Sequence, residues 1–136
     1  MKYLLDTHTF IWVIEDKLRL SATAKTIIEN TDNELFVSIV SLWEIAIKVS
    51  MKTIILPNPF EEFIEKERKL SKIQLLNLTP EHLQTSTVLP FINMANGKTH
   101  KDPFDRMIIA ISLTEQMPVI STDQNFPLYS NLKVVW

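Results

Sequence analysis

Short apolar runs alternate along the chain with stretches in which apolar residues recur every three or four positions. The runs at 2–5, 35–37, 73–78, 119–121 and 132–136 lack the in-and-out alternation of a half-exposed strand. They predict short strands buried on both faces, as in a parallel sheet. Between them, helical spacing predicts a helix from Thr7 or Thr9 to about Glu15 and another from Ser21 to Glu29 or Asn30. Ser41-Leu42-Trp43-Glu44 has capping-box spacing, but Ile39 and Val40 continue the apolar pattern and move that helix start towards Ser38. Apolar residues surround its axis almost to Met51, so the pattern predicts a helix buried on most sides, with Trp43 in the core. Pro59 suits the start of a helix carrying Phe60, Phe63, Ile64 and Leu70. Thr79-Pro80 and Asp102-Pro103 each pair a capping side chain with a first-turn proline and open two more helices, the last reaching about Gln116. His82 reads as a surface residue, and 91–101 as loop.

The sum is an α/β domain in three layers, α/β/α, with helices on both faces of a short central parallel sheet. Its 136 residues make one domain, without a repeat or an internal boundary. A single glycine, Gly97, excludes dinucleotide and phosphate-loop motifs, which need several glycines for close backbone approach. The absence of cysteine removes disulfide scaffolds, thiolate zinc sites and cysteine nucleophiles. Asp6 comes too early for a signal peptide, and the most apolar stretch, 35–49, is short and interrupted by Glu44. The expectation is a soluble, cytoplasmic protein with no membrane segment.

Four carboxylates stand where carboxylates are costly: Asp6 after the first strand, Glu44 within the most apolar helix, Asp105 in the first turn of the last helix, and Asp123 after the 119–121 strand. Each has an ordinary reading. Asp6 and Asp105 can serve free helix N–H groups, Glu44 can pair with Lys48, and Asp123 can make a turn. Taken together they fall at the carboxyl ends of strands, or in first turns of helices that begin there, which is the functional edge of a parallel sheet. An all-oxygen set suits Mg²⁺ or Mn²⁺, and the chemistry such a set serves is phosphoryl or phosphodiester attack. The formal charge of −2 argues against a protein that binds nucleic acid by backbone charge alone. With four carboxylates committed to cations, the remainder is net positive. Asp102 is first a helix cap. His100 and Arg106 are candidates for touching phosphate, Arg106 also for meeting a neighbouring acid, and Ser121 or Thr122 for orienting Asp123. The three tryptophans make no base-stacking stripe.

Four strings carry a family resemblance: Tyr3-Leu4-Leu5-Asp6-Thr7-His8, the 38–48 segment with Trp43-Glu44, His100-Lys101-Asp102-Pro103-Phe104-Asp105-Arg106-Met107, and Val119-Ile120-Ser121-Thr122-Asp123. In this order and at these separations the chain resembles PIN-domain proteins, in particular the small VapC-like toxin ribonucleases of bacterial type II toxin–antitoxin pairs. The resemblance implies that Asp6, Glu44, Asp105 and Asp123 hold Mg²⁺ or Mn²⁺ for endonucleolytic cleavage of RNA, with Thr7 or Ser41 assisting. It further implies a homodimer and a cognate antitoxin, together forming a hetero-oligomer. Asp102 and Arg106 belong to a subgroup signature. Two other functions stay open. One is a partner-binding PIN-like domain whose acids are only caps. The other is a metal-dependent phosphatase, although an aspartyl-phosphatase would want a second acid where His8 stands.

Overall fold

Five strands, all parallel, form one sheet in the order β3-β2-β1-β4-β5 in the computed structural model, which describes residues 1–136. The strands are β1 (Lys2–Leu5), β2 (Glu34–Ser38), β3 (Ile73–Leu76), β4 (Val119–Ile120) and β5 (Val134–Val135). The helices are α1 (Thr7–Glu15), α2 (Ala22–Glu29), α3 (Ile39–Ser50), α4 (Phe60–Leu70), α5 (Pro80–Val88) and α6 (Pro103–Glu115). β1 lies at the centre, with Leu5 level with Val37 on one side and Ile120 on the other. Successive strand residues point to opposite faces, and each face has its own core. Leu5, Val37 and Ile120 pack with Phe10, Val13, Ala24, Ile45 and Ile64 from α1 to α4. Leu4 and Val119 pack with Ile108, Ile109 and Ile111 of α6 and with Leu89, Phe126 and Tyr129. The layering is therefore α/β/α, as the unalternating strands predict. Full burial of each large aliphatic side chain stabilises the fold by about 1.5–3 kcal/mol.

The helix starts follow the sequence closely. Ser21 caps α2 by accepting the Ala24 N–H at 3.0 Å, and Ser38 caps α3 by accepting the Val40 N–H at 3.0 Å. The first helix is capped by Asp6, as its ordinary reading allows, rather than by Thr7 or Thr9. Two expectations are corrected. α3 is not buried on most sides: Trp43 is 62% exposed, with its ring edge-on to Phe104 at 5.2 Å, and Ile39 is exposed as well. Apolar periodicity finds the buried stripe, Leu42 and Ile45, but cannot tell that no element covers the opposite flank. His82 is not a surface residue but fully buried. It takes the place of Glu or Gln in a capping box, with its Nδ1 accepting the Thr79 N–H at 3.1 Å while Nε2 meets Glu115 of α6 at 2.7 Å. The tryptophans form no stripe: Trp12 packs on Trp136 at 5.6 Å, remote in sequence from the Trp43–Phe104 pair.

The loop at 91–101 is a small hairpin. Asn93 and Thr99 bridge it, Met94 N–H bonds Lys98 O at 2.8 Å, and Gly97 turns it at φ +80°. His100 N–H returns to Ile92 O at 2.9 Å, which delivers the His100 side chain to the start of α6.

Candidate active site

The carboxyl ends of β1 and β4 are adjacent, so the residues leaving them meet. Asp6, buried at 7% exposure, accepts the Thr9 N–H at 2.8 Å through Oδ1 and the Ser121 hydroxyl through Oδ2. Thr9 in turn donates to Ile120 O at 2.9 Å and pins α1 to the end of β4. Ser121 also accepts the Asp123 N–H at 3.0 Å, so a single hydroxyl ties the two acids together. Asp123 Oδ1 accepts the Asn125 N–H at 2.8 Å, an Asx-type turn. Burial raises the Asp6 carboxyl above the usual carboxylate range, against the opposing hydrogen bonds from Ser121 and Thr9.

α6 brings the next group. Asp102 caps it by accepting the Asp105 N–H at 3.0 Å. Burial, and then the charge of Asp102, pushes the Asp105 carboxyl from 3.8 up to about 7. The His100 hydrogen bond opposes this rise, and Asp123 adds to it. Asp102, Asp105 and Asp123 thus share one field, and none of them, nor Asp6, is ion-paired with a lysine or arginine.

Glu44 is half-buried and pairs with Lys48 at 3.6 Å; it makes no hydrogen bond to the aspartates. Thr7 and Ser41 are both buried, and Thr7 Oγ1 donates to Ser41 Oγ at 3.0 Å, joining the first turns of α1 and α3. Thr122 is exposed and makes no hydrogen bond within the chain; Ser121 does the orienting instead. His100 is buried, its Nε2 3.2 Å from Asp105 Oδ2 and its Nδ1 2.7 Å from the Tyr129 hydroxyl. Arg106 pairs with no acid. It donates to Leu89 O at 2.8 Å, Pro90 O at 3.0 Å and the Tyr129 hydroxyl at 3.2 Å, and lies 4.0 Å from the Phe91 ring centroid. Tyr129 has no counterpart in the sequence reading, since nothing around it in the chain marks it as anything but core.

As the side chains stand, no three histidine, aspartate or glutamate groups are close enough to enclose one metal ion. The chemistry of the donor set nevertheless suits a hard cation. It is made of oxygen and partly desolvated, burial raises Asp6, burial and the Asp102 charge raise Asp105, and no lysine or arginine pairs with either. Chemically, the arrangement can accept a divalent cation or a proton, and it offers a carboxylate rim open to solvent at Asp105 and Asp123.

A parallel α/β/α domain with aspartates gathered at the carboxyl rim is the architecture of the PIN class. A PIN-domain family model matches residues 3–132, and the chain belongs to that family. It is 27% identical over 121 residues to ribonuclease VapC22 of Mycobacterium tuberculosis, covering 89% of this chain and 86% of that protein. Its fold is similar to VapBC2 from Rickettsia felis bound to a promoter DNA fragment, with a TM-score of 0.68 at 16% identity over 99% of this chain and 98% of that one. It is equally similar to VapBC-1 from nontypeable Haemophilus influenzae, with a TM-score of 0.68 at 19% identity over 99% and 97% of the two chains. No helix is long and apolar enough to cross a membrane.

Proposed function

We propose that this chain is a Mg²⁺- or Mn²⁺-dependent endoribonuclease that hydrolyses RNA phosphodiester bonds as the toxin of a toxin–antitoxin pair. The observation that carries the reading is the gathering of Asp6, Asp105 and Asp123 from separate elements at one rim, with no lysine or arginine to neutralise them. Those three would hold the cation, with Glu44 supplied from α3 by release of Lys48. A bound divalent cation supplies charge neutralisation at the phosphate and eases ionisation of a water. The protein's own contribution is positional. Thr9 and Ser121 fix Asp6, Ser121 and the Asn125 N–H fix the 121–125 turn, and Asp102 fixes the first turn of α6. Lys98 and Lys101, exposed around the hairpin that precedes Asp102, offer charge to the RNA backbone.

The relatives support the remaining parts. The similar curated protein is named a ribonuclease, and the similar solved structures are VapBC complexes. A cognate antitoxin is accordingly its proposed partner; a second copy of this chain is proposed from the family resemblance alone, and the exposed Trp43 and Ile39 flank is suited to contact with protein.

Cleavage of single-stranded and structured RNA, with Mg²⁺ or Mn²⁺ and with chelator, tests the proposal. Cleavage should vanish on chelation and in Asp105→Asn. Cleavage that survives both overturns it. A second reading, a partner-binding domain without activity, is favoured by one observation: Asp6, Asp102 and Asp123 each already satisfy a backbone N–H. That reading expects a folded protein that binds its partner and leaves RNA intact.

A further inference from the structure

His100, Tyr129 and Arg106 form a connected chain of hydrogen bonds that ends on Asp105. Its direction follows from the chemistry of its members. Arginine only donates, so the Tyr129 oxygen, 3.2 Å from Arg106 Nη1, accepts there. The guanidinium is itself held by Leu89 O, Pro90 O and the Phe91 ring, which removes its freedom to turn away. The tyrosine proton then has one recipient, His100 Nδ1 at 2.7 Å. A neutral ring that accepts at Nδ1 carries its proton on Nε2, and Nε2 faces Asp105 Oδ2 at 3.2 Å. The opposite direction fails the polar count. It leaves the Tyr129 proton without an acceptor in a residue only 2% exposed.

We propose that His100 is a positioning residue whose Nε2–H, set by Arg106 through Tyr129, holds Asp105 Oδ2 and leaves Oδ1 to ligate a divalent cation. This rests on the metal reading of the rim given above. No hydrogen bond engages Asp105 Oδ1 from within the chain. A ring that is buried, hydrogen-bonded at both nitrogens and anchored through the hairpin's Ile92 carbonyl fixes the carboxylate's rotation more tightly than solvent would. The role differs from touching phosphate, for which a histidine at 2% exposure is badly placed.

The test combines a spectroscopic signature with metal affinity in the full-length chain. Long-range ¹H–¹⁵N NMR of the imidazoles should show His100 as the Nε2–H tautomer without metal, and Tyr129→Phe should erode that preference. Mn²⁺ titration should show affinity lowered about tenfold in His100→Phe and about threefold in Tyr129→Phe. His100→Gln, which returns an N–H donor near the Nε2 position, should stay within about threefold of wild type. The Nδ1–H tautomer in the wild-type protein overturns the proposal. So does an equal loss in His100→Gln and His100→Phe, or unchanged affinity in Tyr129→Phe while Asp105→Asn weakens binding. Unchanged affinity in Asp105→Asn is a different result: it removes the metal reading itself, and the positioning role with it. If His100→Phe does not fold, the tautomer and Tyr129→Phe decide.

Discussion

Asp6 does two jobs that a single substitution can separate. Its Oδ1 caps α1 and its charge sits desolvated at the rim. Asparagine keeps a carbonyl oxygen for the Thr9 N–H and removes the charge. Asp6→Asn should therefore unfold in denaturant at or above the wild-type midpoint, while metal-dependent RNA cleavage falls on the order of 100-fold or more. Alanine would instead lose the cap as well, at about 1 kcal/mol. Asp105 gives a pH signature. Its folded value of about 7 lies above the ordinary 3.8, so between those values the folded chain binds more protons than the unfolded one. The stability it contributes is present below about pH 4 and is lost as pH rises towards about 7. Metal-free wild type should lose stability over that window in chemical denaturation, and Asp105→Asn should lose less. Mn²⁺ competes with the same proton, so its affinity should rise across the window. The aspartates were legible in the sequence because each interrupts or ends an apolar pattern. Ser121 was legible only as one of two alternatives beside Asp123, and Tyr129 not at all, since its contacts come from residues 23 and 29 positions away.

At the scale of elements, the caps were readable and the exposures were not. Ser21, Ser38, Thr79 and Asp102 start helices where their side chains accept a first-turn N–H, a local rule that needs no tertiary knowledge. His82 escaped because its burial depends on Glu115 from another helix. His82→Ala removes a fully buried ring, a capping-box partner and the α5–α6 link. It should lower equilibrium stability by about 2–4 kcal/mol, read from urea unfolding. The flank of α3 around Trp43 was misread for the converse reason: its periodicity calls for a covering element that this chain does not supply. Helix ends show the cost of having one glycine. Lys72 after α4 and Gln116 after α6 both adopt positive φ, at 55° and 53°. Left-handed backbone is unfavourable for side chains with a Cβ, so Lys72→Gly or Gln116→Gly should each stabilise the fold by about 0.5–1 kcal/mol in the same measurement.

Taken whole, the molecule converts chain order into proximity. The crossovers of a parallel sheet return each strand to the same edge, so β1 and β4 end side by side although more than a hundred residues separate them. This much follows from reading short unalternating strands between helices, and it is why the fold class is legible in the sequence. Side-chain rotation and the surfaces left for partners depend on packing between distant segments and are not. The central claim is that Asp6, Asp105 and Asp123 serve one shared cation. Calorimetric titration of Mn²⁺ into the wild-type chain and its Asp6→Asn, Asp105→Asn and Asp123→Asn variants tests it most directly. Binding in the wild type, weakened at least about tenfold in each folded variant, is the predicted result. A folded wild type that takes up no Mn²⁺, or variants that bind it as tightly as wild type, would contradict it.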